Sequence, residues 1–148
     1  MAETPQLHVT TSIDDCQLIK LERHHHENGN LTVVEDCNEI PFKIRRTFYL
    51  YDIPGGESRG GHAHKTLYQF IVAISGSFEV AVDDGKRTRV YVLNRSYEGL
   101  LVVPGVWSTL QNFSSGSVCA VLASDVYNES DYYREYEEFL KSKSTAEL

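Results

Sequence analysis

The chain has few cysteines, and Cys16, Cys37 and Cys119 are odd in number with no CxxC pair among them. That pattern excludes a disulfide scaffold and a zinc knuckle. Long apolar runs are missing too, and none approaches the roughly 20 residues a membrane-spanning helix needs. The stretch Met1-Ala2-Glu3-Thr4-Pro5 is polar and acidic, unlike a secretory signal. Positive charge is scarce: 14 Lys and Arg stand against 21 Asp and Glu, for a net charge of -7. A non-specific nucleic-acid binder would show a basic face, so that class is disfavoured. A few arginines could still line a pocket for an anionic small ligand. Internal repeats and low-complexity linkers are also lacking. The expectation is a protein of a reducing cytoplasm, with no nucleic-acid or membrane partner.

What is present fits one domain over residues 1–148, with 41% hydrophobic and 24% charged residues. Short strand signals alternate with turns. Leu31–Val34, Ile44–Asp52, Gln69–Ile74, Ser77–Val82, Lys86–Leu93, Leu100–Val103 and Val118–Ala123 read as strands. Asp83-Asp84-Gly85 between two of them is a hairpin signal. Many short strands at regular spacing predict a closed all-β barrel or a sandwich. The strand core is expected over about 28–127. A short C-terminal helix is expected over about 129–141, capped by Asn128, with Glu129 and Asp131 in its first turn. Residues 141–148 are polar and expected to fray. His24-His25-His26 reads as a solvated loop.

One spacing carries chemistry. Gly56 is followed by five residues, then His62-Ala63-His64, then Gln69 and Gly76. This resembles the first cupin motif, G-x5-H-x-H-x3,4-E-x6-G, with Gln69 where the glutamate belongs. Gly99, Pro104 and Asn112 approximate the second motif, and its histidine position falls on Ser108. The resemblance implies a cupin-type β-barrel, a jelly roll. Cupin metal sites use three histidines and a glutamate, so a neutral amide and a hydroxyl are poor replacements. The expectation is a barrel with no metal and no other cofactor.

In a strand, residues i and i+2 share a face, so His62 and His64 project together. They could be interior histidines with no chemistry. Imidazole is also the side chain best suited to move protons near neutral pH. Alternation puts Arg46, Phe48 and Leu50 on one face of their strand, and Arg45, Thr47, Tyr49 and Tyr51 on the other. An inward arginine wants an anionic partner such as phosphate; an exposed salt bridge is the plainer option. Trp107 could stack on a base or sugar, or simply pack.

The stretches Arg46–Asp52, Arg59–Lys65, Pro104–Trp107 and Leu122–Tyr132 resemble the dTDP-4-dehydro-6-deoxyglucose 3,4-ketoisomerases, a WxcM-like family, over about residues 28–140. The resemblance implies a dimeric, metal-independent cupin acting on a dTDP-linked keto sugar in the biosynthesis of surface or antibiotic aminosugars. It assigns His62 and His64 as catalytic. With the motif spacing it makes Arg46, Arg59, Lys65, Gln69, Trp107 and Ser108 candidates for substrate binding. Phe48 stands where some relatives have tyrosine. Ser108 stands where they often have His or Arg, and Asn28 where some have arginine. The chemistry suits the residues: a base removes the proton at carbon 3, an enediolate forms, and an acid reprotonates carbon 4. Gln69 could donate to the developing charge. The alternatives are a sugar-nucleotide 3,5-epimerase, a non-catalytic sugar-binding cupin, and a metal oxygenase, which Gln69 and Ser108 oppose.

Overall fold

The structure is a computed structural model that describes residues 11–144; Met1–Pro5 and the end of the expected C-terminal fray lie outside them. The strands are β1 (Gln17–Lys20), β2 (His24–His26), β3 (Gly29–Leu31), β4 (Arg46–Leu50), β5 (Arg59–His64) and β6 (Gln69–Ser75). They continue with β7 (Phe78–Asp83), β8 (Thr88–Leu93), β9 (Glu98–Val102), β10 (Trp107–Gln111), β11 (Val118–Ala123) and β12 (Tyr132–Tyr133). Among the described residues there is one α-helix, α1, over Tyr136–Ser144. Among the described residues no helix is long and apolar enough to cross a membrane.

The ladders form two five-stranded antiparallel sheets, β1-β9-β6-β11-β4 and β12-β5-β10-β7-β8, plus the separate β2-β3 hairpin. Strand pairing does not close them into one cylinder, so the hydrogen-bonded architecture is two open sheets and not the expected closed barrel. The inward residues follow the period of two. In β7, Phe78, Val80 and Val82 are buried while Glu79, Ala81 and Asp83 alternate outward. In β11, Cys119, Val121 and Ala123 are buried between half-exposed neighbours. The β7-β8 hairpin forms at the Asp-Gly signal, where Gly85 adopts φ 93°. Asp84 braces that turn: its Oδ1 accepts from the backbone N–H of Lys86 and Arg87, and its Oδ2 from that of Ile13. Gly99 is required on β9, because a Cβ there would lie 2.2 Å from the Phe70 ring.

Three sequence expectations change. The segment before Asn28, outside the strand core expected over about 28–127, supplies β1, which pairs with β9 in this chain's own sheet. Burial of Ile13, Cys16 and Leu21 on either side of β1 anchors it there. The helix does not run 129–141. Asn128 caps a single 3-10 turn, Glu129–Asp131, after which Tyr132 and Tyr133 pair with His64 and Ala63 of β5. The helix starts only at Tyr136, because backbone pairing to a sheet edge wins over local helical spacing. Finally, His24–His26 is an exposed strand of a small hairpin. The three cysteines are free, Cys16 and Cys119 buried and Cys37 exposed.

Candidate active site

At one end the two sheets part around a cleft of about 440 Å³. Phe48 and Leu50 of β4, Ile71 of β6, Leu110 of β10 and Val121 of β11 form its apolar wall. The polar groups come from both sheets: Arg59 and His62 from β5, Gln69 from β6, Ser108 from β10, and Tyr132 with Arg134 from the C-terminal segment. Alternation explains the set. His62 and Ser108 are register partners on neighbouring strands, so their side chains stand side by side.

His62 Nε2 is buried and has no hydrogen-bond partner. Burial, then the nearby His64 and the positive charge of Arg134, push its pKa down to about 4. At neutral pH His62 is therefore an uncharged imidazole with an unspent ring nitrogen in a polar cleft. A buried polar atom without a partner costs on the order of 1–3 kcal/mol, a cost that a ligand can relieve.

His64 is different. Its Nδ1 lies 3.1 Å from Asp131 Oδ2, and its Nε2 lies 3.1 Å from the side-chain nitrogen of Gln69. Asp131 Oδ1 accepts from the Thr66 backbone N–H at 2.9 Å and its hydroxyl at 2.7 Å. Tyr132 lies against both imidazoles, with ring centroids 4.3 Å from His64 and 5.2 Å from His62. Arg134 crosses the Tyr132 ring at 4.1 Å and donates to both Glu129 carboxylate oxygens. Tyr127 donates its hydroxyl to the same Glu129.

Four of the sequence candidates, Arg59, His62, Gln69 and Ser108, therefore meet in the cleft. His64 does not line it, but lines an adjoining recess with Asp131 and Tyr132. Arg46 shares the half-buried face of β4 with Phe48 and Leu50 and points to the same recess, beside Asp125, Asn128 and Asp131. Its guanidinium rests on Phe48 and Tyr127, and its buried Nε has no partner. Lys65 lies outside the cleft lining; its Nζ donates to the Ser130 carbonyl and sits 5.1 Å above the Tyr133 ring. Trp107 is absent from the lining as well, and packs on Tyr136 and Phe139 at 5.3 and 5.7 Å. Gly61 makes room for it, since a Cβ there would lie 2.2 Å from the indole nitrogen. Asp131, Tyr132 and Arg134 are the residues that sequence reasoning missed. Tyr132 and Arg134 are i and i+2, a strand signal hidden by reading this segment as helix.

The donors do not suit a cupin metal. Both nitrogens of His64 are engaged by side chains, and Gln69 offers a nitrogen toward it. Among the described residues no group of three His, Cys, Asp or Glu side chains is arranged to hold an ion.

Comparison with known proteins decides the family. The profile of the FdtA family, described as WxcM-like, C-terminal, matches residues 14–144. The chain belongs to this family. It is 42% identical over 125 residues to the TDP-4-oxo-6-deoxy-alpha-D-glucose-3,4-oxoisomerase of Aneurinibacillus thermoaerophilus, covering 84% of this chain and 90% of that one. A 3,4-ketoisomerase from Helicobacter canadensis superposes with TM-score 0.85 at 38% identity, covering 88% of this chain and 98% of that one. QdtA, a sugar 3,4-ketoisomerase from Thermoanaerobacterium thermosaccharolyticum solved in complex with TDP, superposes with TM-score 0.88 at 31% identity, over 93% and 100% of the two chains.

Proposed function

We propose that the protein is a TDP-sugar 3,4-ketoisomerase that converts dTDP-4-keto-6-deoxyglucose to a dTDP-3-keto-6-deoxyhexose, with His62 as the base. The observation that carries this is the neutral, unpartnered His62 Nε2 in a cleft of a chain from this family. His62 takes the proton from carbon 3, and the electrons pass into the carbonyl at carbon 4 to give an enediolate. Reprotonation at carbon 4, with loss of the hydroxyl proton at carbon 3, completes the shift of the ketone. No hydride leaves the sugar, so no redox cofactor is needed. His64, which the resemblance implies is catalytic, has both ring nitrogens engaged, and an orienting role fits that better than contact with the sugar.

Arg59 and Arg134 flank the cleft and supply positive charge for the diphosphate. Ser108 and Gln69 supply hydrogen bonds to the sugar. Arg46 extends the positive region in the adjoining recess, and Lys65 holds the segment after β11 near the mouth. The fold behind this site is read as a cupin over residues 1–148, working in the cytoplasm on aminosugar precursors.

The protein is also read as a homodimer. On the outer face of the first sheet, Val72, Ile74, Ala120 and Leu122 line a groove of about 890 Å³ that also takes in Arg23, Asn94, Arg95 and Ser96. An antiparallel sheet with one wet face should be polar there, and the strand residues Val72, Ile74, Ala120 and Leu122 are apolar. Light scattering that returns a monomer at micromolar concentration overturns the dimer.

The test of function is incubation with dTDP-4-keto-6-deoxyglucose and NMR of the product. A ketone at carbon 3 is expected. A ketone still at carbon 4 with an inverted neighbouring centre identifies a 3,5-epimerase instead. His62→Asn is expected to lower turnover by about a hundredfold or more, with dTDP affinity nearly unchanged. If that variant still exchanges the carbon-3 proton with solvent at the wild-type rate, the base is another residue.

A further inference from the structure

His62 and His64 leave one strand on one face, yet only His62 keeps a ring nitrogen free. The Asp131 carboxylate, an acceptor only, faces His64 Nδ1 at 3.1 Å, so that nitrogen carries the proton. An amide nitrogen only donates, and the Gln69 side-chain nitrogen faces His64 Nε2 at 3.1 Å, so that position offers its lone pair. The two neighbours together select one tautomer of His64, with the proton on Nδ1.

Asp131 is itself fixed. Both donors of Thr66 reach its Oδ1, and the Lys65 backbone N–H reaches its carbonyl oxygen. Burial works to raise the Asp131 carboxyl, but the hydrogen bonds from His64 and Thr66 outweigh it, and its pKa lies below the usual carboxylate value. A connected chain thus runs from Thr66 through Asp131 and His64 to Gln69. Its last member lines the cleft, whereas His64 does not. With its nitrogen held by His64, the amide cannot exchange its two ends without losing that bond.

We infer that Asp131 is a positioning residue, which acts through the tautomer of His64 to hold the Gln69 amide in one orientation against the reacting sugar. This rests on the isomerase reading of the cleft for its effect on rate, though not for the tautomer itself. A preset amide dipole costs no reorganisation when charge develops on the sugar oxygen. A released amide must be reordered at each turnover. The loss then falls on kcat and spares ground-state binding.

The experiment has two arms on the full chain. In the first, long-range proton–nitrogen NMR of labelled protein without substrate reports the His64 ring at neutral pH. The Nδ1-protonated tautomer is expected in the wild type, and its loss in Asp131→Asn. A wild-type His64 protonated on Nε2, or on both nitrogens, overturns the inference whatever the protein catalyses. In the second arm, Asp131→Asn should lower kcat about tenfold or more, with KM for the keto sugar within about twofold. Because Asp131 also ties down Thr66, a second variant cuts the opposite end. Gln69→Glu is nearly isosteric but cannot donate to Nε2, so both His64 nitrogens should become protonated and kcat should fall. Wild-type kcat in either variant, or a change confined to KM, overturns the inference. If the wild type does not turn over the keto sugar, the functional reading fails while the tautomer result still decides the relay.

Discussion

The same two sheets enclose two unlike spaces. At the β7-β8 end of the second sheet's strand order, Phe78, Val80 and Val82 share one buried cluster with Leu93, Ile13 and Phe113, all at most 1% exposed, and the Phe78 and Phe113 rings stack at 5.0 Å. At the other end β5, β6 and β10 present His62, Gln69 and Ser108 and leave about 440 Å³ open. Both are built from antiparallel ladders, the β5-β10 pairing shifting register between Ser108 and Leu110; the residues at the inward positions differ as well. One end gains apolar burial, while the other keeps a buried nitrogen without a partner. The closed end therefore offsets the cost of a site held open for a ligand.

The largest expected effect breaks the closed end. Phe78→Ala removes a fully buried ring that stacks on Phe113, and should lower stability by about 3–5 kcal/mol. Urea denaturation measures it. Turnover of the surviving folded protein should stay close to wild type, because Phe78 lies outside the cleft lining. A variant with normal stability and poor turnover would erase the distinction between the two ends.

The next effect comes from the open end. The His62 pKa sits near 4 in the folded protein, where burial, His64 and Arg134 disfavour its charged form, against roughly 6.5 unfolded. Between those values the unfolded chain binds a proton that the folded chain refuses. Stability should thus fall as pH drops from about 6.5 toward 4, and this contribution should level off below. After allowance for partial solvent screening the loss is on the order of 2 kcal/mol. Denaturation of wild type and His62→Asn across that range isolates it, since carboxylates shared by both cancel in the difference. The same pKa predicts that kcat/KM stays level from neutral pH to about 5 and falls only near 4. An acid limb near 6.5, with no stability difference, would mean that His62 is solvated like an ordinary surface histidine.

Much of both ends was legible in the sequence, for a physical reason. β7 announces itself by alternation, β8 and β11 by apolar residues bounded by turn signals, and the Asp-Gly turn between β7 and β8 forms as its chemistry demands. The His62-Ala63-His64 spacing put both imidazoles on one face, and Gln69 and Ser108 were located by the same motif. Alternation could not say which histidine would be free, because that depends on Asp131, far along the chain. Nor could it find Tyr132 and Arg134, whose segment has helical spacing but is captured by the edge of β5. β1 was missed because a four-residue edge strand carries little pattern, and its place is set by the buried Ile13, Cys16 and Leu21 flanking it. The outer face of the first sheet was also hidden, since β6 is apolar on both sides and does not alternate.

The smallest expected effect concerns Trp107, which sequence reasoning left between stacking on the ligand and packing. Its indole meets Tyr136 edge-on at 5.3 Å, leans on Phe139, and fills the space above Gly61. Those contacts tie α1 to the second sheet on the face opposite the cleft. Trp107→Phe keeps an aromatic ring there but gives up part of the contact, and should cost about 1 kcal/mol of stability. Thermal denaturation reads this as a drop of a few degrees, while dTDP affinity by calorimetry should be unchanged. The neighbouring Ser108 gives the contrast: its side chain faces His62, so Ser108→Val should weaken sugar binding and leave stability nearly intact. If Trp107→Phe instead weakens dTDP binding about tenfold with no loss of stability, the indole reaches the ligand and the boundary between packing and site lies on the other side of β10.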